Sequence, residues 1–96
     1  MTVNIRERFE ELKKVIQAVT GEDYDNKSRD AHKVTMRRCV IYRLYLDGLT
    51  EHKIGELVGI NHATVHWHIV QMRCTLQNNA LNPYENRVFL TFNRLV

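Results

Sequence analysis

Apolar residues recur at steps of three and four along most of this chain, and no run alternates with a period of two for long enough to indicate a strand. Ile5, Phe9, Leu12, Ile16 and Val19 form the clearest example. Side chains at this spacing share one face of an α-helix, whereas a half-buried strand requires strict alternation. The spacing therefore predicts an all-α fold, a small bundle of about five helices.

Capping residues and glycines mark where the predicted helices begin and end. Asn or Thr before a periodic segment is typical of a helix start, and glycine after it is typical of a stop. These signals predict helices over residues 4–20, 31–46, 50–58, 61–78 and 83–95, with a polar loop at 21–30. No segment has the composition of a linker. We therefore predict a single domain over residues 1–96, with a core in about 5–76 and a C-terminal helix over about 83–95.

The charges of the chain are unevenly distributed. The formal net charge is +3, yet no Asp or Glu occurs from Ala31 to Leu46 or from Leu57 to Tyr84, and both stretches contain basic residues. Basic segments without acids favour a partner that carries phosphates. This pattern predicts a nucleic-acid partner.

Other sequence features bear on the compartment of the protein. No signal peptide or membrane-length apolar run occurs, so we expect no membrane partner and a cytoplasmic, nucleoid-associated protein of bacterial or phage type. Cys39 and Cys74 stand far apart without a CxxC pattern. We expect both to be buried thiols and not a disulfide.

The third and fourth predicted helices have the proportions of a helix-turn-helix, because a short helix, a turn around Gly59 and a longer helix follow one another. In that motif the second helix enters the major groove of DNA. Val65 and Ile69 share the inward sector of the fourth helix, while Ala63 and His66 point away from it. The exposed N-terminal turn thus carries small and hydrogen-bonding side chains, which base recognition requires.

Residues 26–65, NKSRDAHKVTMRRCVIYRLYLDGLTEHKIGELVGINHATV, resemble the DNA-binding C-terminal domain of the bacterial replication initiator DnaA. That domain has a basic loop, a helix with an arginine and a tyrosine, an Ile-Gly helix and a recognition helix that opens with Asp-His-Thr/Ser-Thr-Val. The matching residues are Arg29, Arg37, Tyr42, Ile54, Gly55, His62, Thr64 and Val65, within a resemblance that spans about residues 5–76. The resemblance implies that Arg29 enters the minor groove. The initiator's ATPase domain has no counterpart here, since the chain contains no GxxxxGK[S/T] motif. The helix pair also resembles response-regulator and sigma-type helix-turn-helix modules.

We therefore predict sequence-specific binding of double-stranded DNA, in transcription regulation or in control of replication initiation. No enzymatic activity, cofactor or small-molecule substrate is expected. The residues predicted to contact bases are His62, Ala63, Thr64, His66 and Arg29. Phosphate contacts fix the position of a protein on DNA without carrying sequence information. The residues predicted to make them are Lys27, Lys33, Arg37, Arg38, Thr50, Lys53 and Asn61.

The spacing of His62 and His66, four residues apart on one helix face, also suits half of a metal site. A zinc site needs three or four ligands, and no acid lies near these histidines in the sequence, so we expect no metal. The missing carboxylate also argues against acid–base catalysis. His68 lies near the inward edge of the helix and is expected to pack in the core.

A second apolar stripe, formed by Ala63, Trp67, Val70 and Cys74, lies opposite the core face of the fourth helix. A helix that is apolar on two sides needs a second cover. We expect Trp67, Val70 and Cys74 to be covered by the C-terminal helix or by a second chain in a homodimer, and a contact of Trp67 with DNA is a third alternative. The alternative function is a protein-interaction module, in which the basic face and the Trp67 stripe bind an acidic partner.

Overall fold

The computed structural model describes residues 4–96, which form five α-helices. They are α1 (Ile5–Thr20), α2 (Ala31–Leu46), α3 (Glu51–Val58), α4 (His62–Gln77) and α5 (Pro83–Leu95). No strand occurs within residues 4–96. The prediction of a small all-α bundle is confirmed, and the predicted helix ends lie within one residue of those observed.

Local hydrogen bonds explain why the helix ends were predictable. The Asn4 side chain accepts two backbone N–H groups at the start of α1. At the start of α5, Asn82 and Glu85 form a reciprocal capping box. Gly21 ends α1 with φ 71°, a left-handed conformation that favours a residue without Cβ. Each of these signals acts over a few residues and is therefore visible in the sequence.

Helix α2 lies at the centre of the bundle and packs against all four other helices. Helices α1 and α5 pack on each other beside it, and α3 and α4 form a second pair. Every helix contributes buried side chains to one core. Its members are Phe9, Leu12, Ile16, Met36, Cys39, Val40, Ile41, Leu44, Ile54, Val58, Val65, Ile69, Met72, Val88, Phe89 and Phe92.

Three residues, Gly59, Ile60 and Asn61, connect α3 to α4. The backbone N–H groups of Gly59 and Ile60 both donate to the Gly55 carbonyl, at 2.8 and 3.0 Å. A Cβ atom on Gly55 would lie only 2.8 Å from the Ile60 carbonyl oxygen. The turn thus closes against a helical position without a side chain, which fixes the first turn of α4 relative to α3.

Helix α5 packs on α1 and α2 but not on α4. Its predicted apolar face is buried at Val88, Phe89 and Phe92, whereas Leu95 is exposed. The expectation that this helix covers Trp67 is wrong, since the indole is 49% exposed. The physical reason is that the apolar face of α5 completes the core beside α1 and α2, which leaves the outer face of α4 uncovered. Cover by a second chain stays a prediction.

The two cysteines differ in environment. Cys39 is buried as predicted, and burial raises the pKa of its thiol to about 12. Cys74 is exposed, so the prediction for this residue is wrong. It lies on the outer face of α4 that α5 fails to reach. Among the helices of residues 4–96, none is long and apolar enough to cross a membrane.

Candidate nucleic-acid interface

The first turn of α4 presents a small polar surface to solvent. His62, Ala63 and Thr64 are all exposed, while Val65 behind them is fully buried. The Asn61 side chain accepts the Ala63 N–H at 2.7 Å and is therefore occupied as the helix cap. A narrow helix end with short hydrogen-bonding side chains is the shape that enters a major groove.

His52, on α3, belongs to the same surface and was not among the predicted site residues. Its ring stacks on that of His62, with the centroids 4.0 Å apart and the planes at 26°. The two histidines lie ten residues apart in sequence and meet because α3 and α4 approach closely at Gly55. No local sequence pattern predicts such a pair.

Glu51, the first residue of α3, lies against His66. Its Oε2 atom is 2.5 Å from His66 Nδ1, and both side chains are partly exposed. No acid lies near His66 in the sequence, but the fold brings Glu51 beside it. Both residues line a groove of about 340 Å³. In the same groove, Arg73 donates to the Tyr45 hydroxyl at 2.6 Å.

Arg37 does not lie on this surface, and its assignment as a phosphate contact is wrong. The residue is 7% exposed, and its Nη2 atom donates to the carbonyls of Asp25 and Ser28, both at 2.8 Å. Position 37 faces the 21–30 loop instead of solvent. Its guanidinium therefore holds that loop against α2.

The anchored loop presents Lys27 and Arg29 to solvent. The Asp25 carboxylate accepts two backbone N–H groups of the loop, which hold the pKa of Asp25 below its usual value. Asn26 Nδ2 donates to the Val58 carbonyl at the end of α3, at 2.5 Å. The two exposed cations therefore lie on a loop that is tied to the α3–α4 turn.

Lys33, Thr50, Lys53 and Asn61 are four further predicted phosphate contacts, and their side chains differ in exposure and in hydrogen bonding. Lys53 is exposed on α3, whereas Lys33 is half-buried and donates to a loop carbonyl. Thr50 and Asn61 are the N-caps of α3 and α4, so their side-chain oxygens already accept backbone N–H groups. Of these four side chains, that of Lys53 is the most accessible to a phosphate.

Arg38, also predicted to contact phosphate, is half-buried between α2 and α4, and its guanidinium faces α4. Its Nε atom donates to His68 Nδ1 at 3.2 Å, and its guanidinium lies 5.0 Å from the centroid of the Trp67 ring. His68 is 2% exposed, which confirms its predicted place in the core. Burial, followed by the positive charges of Arg38 and Arg37, lowers the pKa of His68 to about 4. At neutral pH the ring is uncharged and can accept the Arg38 hydrogen bond.

One group of side chains within residues 4–96 has donor atoms spaced closely enough for a metal ion, namely Glu22, Asp30 and His32, whose ligand atoms lie within 4.8 Å of one another. These donors have partners already. Asp30 caps α2, and His32 Nδ1 lies 3.1 Å from the Glu22 carboxylate. The group lies at the start of α2, and neither His62 nor His66 belongs to it.

Comparison of the chain with protein-family models, with curated proteins and with solved structures finds no match. The resemblance to the initiator domain therefore rests on the sequence motif alone.

Proposed function

We propose that this protein binds double-stranded DNA through α3 and α4, which act as a helix-turn-helix with the first turn of α4 in the major groove. The observation that carries the proposal is the hydrogen bond from Asn26 to the Val58 carbonyl. It ties the loop that bears Lys27 and Arg29 to the end of the helix that precedes the exposed turn. Cations and base-contacting groups are thereby held on one connected surface.

The roles within this surface follow from exposure. His62, Ala63, Thr64 and His66 face bases, because they are exposed on the first two turns of α4. The phosphate contacts come from Lys27 and Lys53, whose side chains are exposed, and Arg29, exposed on the same loop as Lys27, enters the minor groove as the resemblance implies. The outcome is control of transcription or of replication initiation, as the resemblance implies.

The test is the salt dependence of binding to a fluorescent duplex, followed by anisotropy. The three cations Lys27, Arg29 and Lys53 predict a slope of log affinity against log salt of about −2.7, at roughly 0.9 per cation. The double variant Lys27→Ala with Arg29→Ala should reduce the magnitude of this slope by about 1.8. Arg94→Ala is the matched control, since this exposed arginine lies at the far end of α5, which does not pack on α4. Undetectable binding at low salt, or equal slopes in all proteins, would refute the proposal.

A second candidate function is supported by the exposure of Trp67. The indole is 49% exposed on the outer face of α4, and large exposed aromatic side chains are enriched in protein interfaces. This favours contact with another protein chain, either an acidic partner or a second copy. Sedimentation velocity over a range of concentrations, with Trp67→Ala as the comparison, tests self-association. A monomer at all concentrations would exclude the homodimer.

A further inference from the structure

We propose that Glu51 is a positioning residue that fixes the tautomer of His66 and so determines which kind of base edge His66 recognises. The proposal rests on the DNA-binding function proposed above. It adds a specificity-determining residue that does not itself touch a base.

The hydrogen-bond chemistry of the pair dictates the position of one proton. An ionised carboxylate only accepts hydrogen bonds, whereas each ring nitrogen of histidine donates or accepts according to tautomer. At 2.5 Å, the Glu51 Oε2 and His66 Nδ1 atoms are within hydrogen-bond distance. The Nδ1 atom must therefore carry a hydrogen and donate it to Glu51.

The consequence lies at the opposite side of the ring. In neutral His66 with hydrogen on Nδ1, the Nε2 atom holds a lone pair and accepts. In the major groove, adenine and cytosine present amino donors, whereas guanine presents only acceptors and thymine presents an acceptor and a methyl group. Neutral His66 therefore selects adenine or cytosine. When the ring gains a proton, Nε2 becomes a donor, and the same side chain favours guanine or a phosphate oxygen.

The other charged and titratable groups that face His66 do not compete for its Nδ1 hydrogen. Arg73, from α4, and the Tyr45 hydroxyl, from α2, line the same groove but are hydrogen-bonded to each other at 2.6 Å. Among the described residues, Glu51 is the carboxylate paired with His66. The second exposed acid of α3, Glu56, lies 4.0 Å from Lys53 and pairs with no histidine.

The tautomer is measured on the free protein, so this step does not depend on DNA. Long-range proton–nitrogen correlation spectra at a pH well above the ordinary titration range of histidine distinguish hydrogen on Nδ1 from hydrogen on Nε2. We expect His66 to carry it on Nδ1 in the wild type. In Glu51→Gln the population should shift towards hydrogen on Nε2, the tautomer that predominates for histidine in water. Glu56→Gln, which removes the same charge from the same helix, should leave the spectrum unchanged. Hydrogen on Nε2 in the wild type would overturn the proposal.

The base preference is measured by selection from random duplexes at the same alkaline pH. Wild type and Glu56→Gln should prefer adenine or cytosine at one position by about 3- to 10-fold, the effect of one hydrogen bond, and Glu51→Gln should lose that preference. If the preference survives in Glu51→Gln, the role of Glu51 in specificity is refuted although DNA binding stands. Selection of no duplex by any of the three proteins would instead refute the proposed function and the base contact with it, and the spectra alone would then decide the tautomer.

Discussion

Replacement of Gly55 by alanine should destabilise the protein, although alanine is the better helix former. Gly55 lies within α3, where alanine lowers the free energy of a helix by about 0.5–1 kcal/mol relative to glycine. The added Cβ, however, would lie 2.8 Å from the Ile60 carbonyl oxygen, 3.4 Å from the His62 nitrogen and 3.5 Å from its Cα. All three are backbone atoms, and none can move away by a change of rotamer.

The cost can be worked from the turn geometry. Over-packing typically costs about 1–3 kcal/mol, and the upper half of this range applies because Ile60 is itself hydrogen-bonded to the Gly55 carbonyl. Moving the Ile60 carbonyl aside would strain that bond and displace the start of α4. After subtraction of the helical gain, we expect the free energy of unfolding to fall by about 1–2.5 kcal/mol. For a domain of this size, that corresponds to a loss of roughly 4–20 °C in melting temperature.

The assay is urea and thermal denaturation followed by circular dichroism, with Glu56→Ala as the control. Glu56 is the next residue of α3, its side chain is exposed, and its contact with Lys53 is a loose 4.0 Å pair. The control should change the free energy of unfolding by no more than about 0.5 kcal/mol. If Gly55→Ala is as stable as the control or more stable, the turn tolerates the methyl group and the close approach does not fix α4.

Three further predictions concern buried side chains. The pKa of His68, about 4 in the folded chain, is below its ordinary 6.5, so the unfolded state binds more protons between these values. Its contribution to the free energy of unfolding, up to about 3 kcal/mol, is therefore present above pH 6.5 and lost as the pH falls towards 4. In His68→Gln the melting temperature should fall less steeply between pH 7 and 4.5 than in the wild type, and an equal dependence on pH would contradict this. Arg37→Ala should lower the free energy of unfolding by about 2–4 kcal/mol, since two hydrogen bonds from a charged group to backbone carbonyls are lost. Arg29→Ala should change it by no more than about 0.5 kcal/mol, and equal values in urea titrations would show that Arg37 does not anchor the loop. Phe92→Ala should cost about 3–5 kcal/mol without moving the emission maximum of Trp67 in the folded state, since α5 does not pack on α4; a red shift before unfolding would count against this packing.

The helices were predictable because their determinants are local. The caps at Asn4, Thr50 and Asn82 act on backbone groups two or three residues away. The packing of α5 was not predictable in the same way. Its apolar face fits either the stripe around Trp67 or the side of α1 and α2, and periodicity alone does not distinguish two apolar surfaces.

The candidate site was predictable at the tip of α4 and less so elsewhere. Exposure of His62, Ala63 and Thr64 follows from the helical wheel, because Val65 must point inward. Glu51 and His66 are fifteen residues apart in the sequence, and their pairing depends on the angle between α3 and α4. No local sequence pattern predicts that angle. The same holds for the stacking of His52 on His62.

Arg37 shows that a basic residue in an acid-free segment need not be available to a partner. In the sequence it belongs to an acid-free basic segment, and the resemblance places it at a family arginine, so both observations favoured a phosphate contact. In the fold, its charge is used internally to hold the loop that bears Lys27 and Arg29. Asn26 fastens the other side of this loop to α3. The exposed cations are thus placed before any partner arrives, and less conformational entropy is lost on binding. Under the proposed function, Arg37→Ala or Asn26→Ala should therefore weaken binding of duplex DNA in the anisotropy assay, although neither side chain is among the proposed DNA contacts.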